Sequence, residues 1–246
     1  MAKWQKTFLN IGRIKILKSG IIETYLYSIK LNKKDLSVCV VGRGKSLEKI
    51  NIINPDDIDI SLIVNSFNKE SENKDVYNFL NKTKNIFILS RSNESISNKS
   101  VYEKLNAEKC VFNVWKDEFL RKQSAIEKRR LLKPYGIKCE YMPDKMKEDA
   151  LENGKKNYPT SGTLAILYAI LALNANKISI IGIDCYEQPY FDGPKLRKVQ
   201  TEKRPNKMKQ YICNLTRKYY DIEYRIYSYA DFSNIEFENN VELVSL

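Results

Sequence analysis

The stretch "SVCVVGRGKSLEKI", residues 37–50, sets a short run of small and apolar residues before a glycine pair, and then a lysine and a serine. A phosphate loop of the ATPase kind requires G-x-x-x-x-G-K-[ST]. With Gly44, Lys45 and Ser46 as its end, a glycine must stand five residues earlier, and this chain has Cys39 there. The spacing excludes that loop. What remains is a strand, a tight Gly42-Arg43-Gly44 turn and a helix starting near Ser46, an arrangement that aims backbone N–H groups at an anionic ligand.

Further runs rich in β-branched residues stand at 58–65, 85–90, 178–184 and 222–228, and helical candidates alternate with them at 46–53, 68–82, 117–132, 162–175 and 205–219. Near-continuously apolar strands are buried on both faces, as in a parallel sheet covered by helices. The pattern predicts a Rossmann-like, doubly wound α/β domain with a mainly parallel sheet, whose ligands bind outside the carboxyl ends of the strands. At 246 residues and 43% apolar content the chain holds one generous domain. Residues 37–246 are assigned to it and 1–36 to an N-terminal extension that packs on it; 93–107 read as a polar loop entering a short helix.

The net charge of +12 implies anionic company: nucleotide, charged glycan, nucleic acid or an acidic lipid surface. Two stretches concentrate it, 121–147 with nine basic residues against three acidic, and 195–218 with nine against Glu202 alone. Solvated helix faces are the plain alternative for both. Five cysteines lie far apart without a C-x-x-C pair, which reads as buried, reduced thiols rather than a disulfide or zinc framework. The basic start lacks the apolar segment of a signal peptide, and "TLAILYAILALNA" (163–175) is well short of the roughly 20 residues of a spanning helix. A cytoplasmic protein is expected, with peripheral contact to the inner face of the membrane compatible with the charge.

Informative residues gather at predicted strand ends. The first group is Gly42, Arg43, Gly44, Lys45 and Ser46; the second is Asn65, which closes a buried strand. Thr160, Ser161 and Gly162 stand just before an apolar helix, where a hydroxyl can cap it and free N–H groups can meet an anion. The following strand, "KISIIGIDCYEQPYFDG", ends in Asp184 with Tyr186, Tyr190 and Asp192 just beyond. A carboxylate with phenols beside it suits sugar hydroxyls, a base edge and phosphate oxygens.

The G-x-G-x-S-L loop, the asparagine ending the second strand, the T-S-G helix start and the G-I-D-x-Y strand end together resemble the bacterial lipooligosaccharide sialyltransferases of glycosyltransferase family 42. The resemblance covers about 37–68 and 158–228. It implies a single-domain variant of the GT-A fold with a small basic lid, here about 187–210. It also implies a CMP-activated acidic sugar as donor, a glycan or lipid-linked acceptor, inversion at the anomeric carbon, and neither metal nor cofactor. Carried over, Gly42, Gly44 and Ser46 form the nucleotide loop, and Asn65, Ser90, Thr160, Ser161, Gly162 and Asp184 contact the donor. Tyr186 and Tyr190 hydrogen-bond the departing phosphate. Arg43 replaces the family's asparagine, and Tyr158-Pro159 stand where the family has Arg-Ile. The family's general base is a histidine, and this chain has none; the matching position falls near Arg204. Asp192 and Glu202 are the nearest carboxylates for that role, while Arg204 and Lys203 could instead neutralise the phosphate or an anionic acceptor.

Two other readings share these features. An MptE-like pterin diphosphokinase or a flagellin-modifying transferase carries a similar loop, and the former would need acidic metal ligands. A basic nucleic-acid-binding protein accounts for the charge and the sixteen tyrosines, but gives no reason for T-S-G and G-I-D-x-Y at strand ends; nucleic acid is therefore disfavoured. A homo-oligomer is compatible with the sequence.

Overall fold

The computed structural model describes residues 35–65, 67–89, 100–115, 119–152, 159–191, 204–244 and 246. Nearly all of the 1–36 extension, Ser90, Asp192, Glu202 and the 192–203 part of the expected lid lie outside the described residues. Eight strands form one sheet: β1 (Ser37–Val41), β2 (Ile60–Val64), β3 (Lys84–Leu89), β4 (Ala107–Phe112), β5 (Lys138–Tyr141), β6 (Lys177–Ile181), β7 (Glu223–Tyr227) and β8 (Val241–Val244). Their order is β5-β4-β3-β2-β1-β6-β7-β8, and every pairing is parallel. The helices are α1 (Lys74–Leu80), α2 (Ser100–Lys104), α3 (Phe119–Leu132), α4 (Lys147–Glu152), α5 (Ser161–Leu171) and α6 (Pro205–Lys218).

The period-2 alternation of the strands explains the two-sided covering. Val38 and Val40 of β1 face one core with Leu164, Ile166 and Leu167 of α5 and Ile212 and Leu215 of α6. Cys39 and Val41 face the other, with Leu47, Ile50, Val76, Phe79 and Leu80. Residues 161–170 of α5 are all buried, as expected of a helix that is apolar all round and lies across β1, β2 and β3 while touching α6. Among the described residues, no helix is long and apolar enough to cross a membrane.

The five expected strands are present, and β4, β5 and β8 join them. β4 carries Glu108 and Lys109 in its first half, and β5 and β8 are four-residue edge strands of mixed polarity, so none of the three is the apolar run that marks a buried strand. The expected helix at 46–53 is a tight 3-10 segment, Lys45–Ile52, broken at Lys49 (φ −102°, ψ 18°).

Strand order reverses direction between β1 and β6, since β1 leads to β2 on one side and β6 to β7 on the other. In open α/β sheets this switch point opens the crevice in which ligands bind. Here the two strand ends are in backbone contact: Gly42 N–H donates to Ile181 O (2.8 Å) and Gly44 N–H to Gly182 O (2.7 Å). A Cβ on Gly42 would lie 2.2 Å from Gly182 O, and one on Gly182, where φ is +72°, 2.3 Å from Gly42 O.

Gly136 has a similar φ of +69° with nothing within 4 Å of its would-be Cβ. Gly136→Ala is therefore expected to cost only the left-handed penalty of about 1–2 kcal/mol. Gly182→Ala adds a backbone collision and is expected to cost about 3–4 kcal/mol. Urea unfolding midpoints of the two variants measure the difference.

Candidate functional site

Asp184 follows β6 and is 3% exposed, and its carboxylate ties three segments together. Its Oδ2 accepts from Ser46 N–H (2.8 Å). Its Oδ1 accepts from the Ser228 hydroxyl (2.9 Å) and from Tyr229 N–H (3.1 Å), both just past β7. Ser46 returns the connection, its Oγ accepting from Gly182 N–H at 2.9 Å. Burying a carboxylate costs several kcal/mol, and each hydrogen bond to the charge returns about 1.5–3, so three are enough to hold it there. Gly44 makes room: a Cβ on it would sit 2.5 Å from Asp184 Oδ2.

The glycine loop therefore does not cradle an anion with the amides of residues 42, 44 and 46. All three donate to the β6 segment. Between those residues Arg43 is half-buried, and Lys45, the first residue of the 3-10 segment, is exposed. Arg43 Nε forms an ion pair with Glu70, whose side chain is fully buried, and the guanidinium carbon lies 5.4 Å from the centroid of the Tyr190 ring. Phe191 N–H donates to Arg43 O (2.7 Å), and Gly44 bridges Tyr190 in antiparallel fashion. The segment after β6 is thus strapped onto the loop after β1.

The start of α5 meets the same place. The Cδ1 methyl of Ile183 occupies the space that side chains on Gly42 and Gly162 would need, at 2.5 and 2.7 Å from their would-be Cβ positions. The cap of α5 is Thr160, whose hydroxyl oxygen accepts from Thr163 N–H (3.2 Å). Ser161 is the first helical residue, and its Oγ accepts a long bond from Asn113 Nδ2 (3.4 Å) at the end of β4. As at any helix start, the N–H groups of Ser161 and Gly162 have no intrahelical acceptor.

Cys185 and Tyr186 both take left-handed backbone, with φ 49° and 64°. Such positions cost a non-glycine residue about 1–2 kcal/mol each and persist where surrounding contacts impose them. Burial pushes the Tyr186 phenol above its usual range, Tyr190 adds to this, and the Arg204 charge beside it pulls it back. Near neutral pH Tyr186 is a neutral O–H donor next to a cation. Lys209 of α6, one of the nine basic residues of the 195–218 stretch, is buried: its Nζ donates to Glu187 Oε1 (2.6 Å) and Asp231 O (2.6 Å). Glu187 Oε2 in turn accepts from Asp231 N–H (2.7 Å). That network anchors the turn bearing Tyr186.

Gly42, Gly44, Ser46, Gly162 and Asp184 are thus brought together at the carboxyl ends of β1 and β6. Thr160 and Ser161 adjoin them at the start of α5; Arg43 and Tyr190 form one contact, and Tyr186 and Arg204 another. Asn65 stands one strand away, at the end of β2 with φ 65° and its N–H on Ile88 O (2.9 Å). Sequence reasoning missed Glu70, Asn113, Glu187, Lys209 and the Ser228-Tyr229 pair, and took Gly182 only as a letter of the G-I-D-x-Y motif. Ser228 closes an expected strand, so the rule that found Asn65 applied to it as well. Glu70 gives no such signal.

No protein-family model matches the sequence, and no curated protein matches it by sequence. Among solved structures, the chain is similar to the sialyltransferase CstII from Campylobacter jejuni in complex with the substrate analogue CMP-3FNeuAc. The TM-score is 0.54 at 17% identity, over 83% of this chain and 87% of that one. It is similar also to the sialyltransferase CST-II in complex with a trisaccharide acceptor and CMP, with TM-score 0.54 and 18% identity over 82% and 85% of the two chains. The fold of this chain is the one those sialyltransferases share.

Asp184→Ala strands Ser46 N–H and Tyr229 N–H, while the Ser228 hydroxyl keeps Ile183 O as an acceptor (3.2 Å), and the substitution is expected to cost about 3–5 kcal/mol. Asp184→Asn keeps the shape and one acceptor and should cost less. Chemical denaturation of both variants checks the order.

Proposed function

We propose that this chain is an inverting, metal-independent glycosyltransferase that moves a sialic acid or related nonulosonic acid from a CMP-activated donor to a glycan or lipid-linked acceptor. The observation that carries the reading is a convergence at one switch-point crevice. The loop after β1, the start of α5 and the phenols after β6 meet there, on a fold shared with sialyltransferases solved with CMP and with a CMP-sugar analogue.

In this proposal the donor's nucleotide lies over the ends of β1 and β6, beside Gly44, Asn65 and Ser90, with the N–H groups of Ser161 and Gly162 meeting one of its anionic groups. Asp184 acts on the nucleotide by fixing the loop rather than by direct contact, because its oxygens already hold Ser46, Ser228 and Tyr229. When the bond from the anomeric carbon to the phosphate oxygen breaks, negative charge grows on CMP. Tyr186 and Tyr190 donate O–H hydrogen bonds to it, and Arg204 supplies positive charge, the work that a metal does in other transferases. The incoming acceptor hydroxyl must lose a proton. Without histidine in the chain, a carboxylate takes it, and Asp192 and Glu202 are the candidates.

Calorimetric titration with CMP, UMP, GMP and ADP tests the donor class; a clear preference for CMP is expected, and equal affinity for all four would overturn the reading. Turnover of CMP-sialic acid should fall by about 10²- to 10³-fold in Tyr186→Phe and stay unchanged in Cys213→Ser and in the presence of EDTA.

A further inference from the structure

Cys110 and Cys139 are separated by 28 other residues, yet they are register partners on the adjacent parallel strands β4 and β5. Register partners point to the same face of a sheet, and both belong to the same apolar core, Cys110 fully buried within it and Cys139 half-buried at its margin. Tyr102, 2% exposed, belongs to the same core, and burial and, less strongly, the two thiols push its phenol up. The two sulphurs differ in character. The Cys139 thiol is pulled below its usual range, first by its interaction with Cys110 and then by the Arg129 charge, against the effect of burial. The Cys110 thiol is pushed up by Cys139 and by burial. A half-buried cysteine on an edge strand thus stands beside a fully buried one, the placement of an attacking and a resolving thiol.

We propose that Cys110 and Cys139 form a reversible dithiol–disulfide couple that responds to hydroperoxides. The Cys139 thiolate attacks one peroxide oxygen; an S–O bond forms, the O–O bond breaks, and hydroxide leaves and takes up a proton. The Cys110 thiol then attacks the sulfenic sulphur. An S–S bond forms, the S–O bond breaks, the Cys110 proton joins the leaving hydroxide, and water departs. In sum two thiols give up two protons and two electrons, and one hydrogen peroxide becomes two waters.

Geometry makes the couple reversible. Neighbouring strands run about 4.8 Å apart, inside the roughly 4.4–6.8 Å between Cα atoms that a disulfide spans, so the bridge can close on the strand pair as it stands. β5 is a four-residue edge strand bonded on one side only, and Cys139 on it is half-buried. A bridge with one sulphur at an exposed edge is open to attack by thiols and is readily reopened. The couple also sits on the strand whose end carries Asn113, the residue that reaches Ser161. Through β4, closing the bridge bears on the start of α5. The inference stands on β4 and β5 alone and does not depend on the glycosyltransferase reading.

The test uses the full chain. Reduced protein is treated with a modest excess of hydrogen peroxide, alkylated after denaturation, and examined by intact mass and peptide mapping. The expected product is a monomer lighter by two hydrogens, with the Cys110 and Cys139 peptides joined and both released by dithiothreitol. Cys139→Ser should abolish the loss of mass, and Cys110→Ser should leave a sulfenic acid on Cys139 that dimedone captures. The inference is overturned if both cysteines of the wild-type protein remain alkylatable, if Cys139 gains two or three oxygens while Cys110 stays a thiol, or if the bridge forms between chains.

Discussion

One buried carboxylate holds the candidate site in shape. Asp184 accepts from Ser46, 138 positions earlier, and from Ser228 and Tyr229, some 44 positions later, so it binds the ends of β1, β6 and β7 at one point. A buried charge tolerates only a filled shell of donors, and each of its three donors is therefore placed as well as placing. The loop after β1 cannot shift without stranding the carboxylate, and the close approach of Gly42 to Gly182 leaves it no room to relax inward.

That constraint decides what the loop can offer a ligand. Three of its amides are used up in joining it to β6, which leaves the half-buried Arg43 and the exposed Lys45. Arg43 is itself held by the buried Glu70 and covered by Tyr190. Its charge serves to organise the crevice wall, and a salt bridge of this kind specifies geometry more than it adds stability. In the proposed function, anion contact passes instead to the amino end of α5 and to the Tyr186–Arg204 pair.

The inner strands were legible because two-sided burial writes itself as an apolar run; "SVCVV" and "ISIIGID" announce β1 and β6, and with them the switch point. β4, β5 and β8 were not legible, because Glu108, Lys109, Glu140 and Glu242 interrupt them and the edge strands β5 and β8 need only one apolar face. The site was legible as a set of strand ends, but not as a set of bonds. Nothing local in "GRGKS" shows that Ser46 answers Asp184, nothing marks Lys209 as the buried partner of Glu187 rather than a surface charge, and the pairing of Cys110 with Cys139 waits on the recognition of β5. Long-range register and charge pairing are decided by tertiary packing, which local periodicity does not encode.

The central claim is that the crevice between β1 and β6, shaped by Asp184, is where a cytidine nucleotide binds. A crystal structure of the chain soaked with CMP tests it most directly. The expected result is electron density for CMP beyond the carboxyl ends of β1 and β6, with the loop at Gly44, the start of α5 at Ser161 and the Tyr186 phenol within contact of it. Density at the amino ends of the strands, or at the β5 or β8 edge with the crevice between β1 and β6 unchanged, would contradict it.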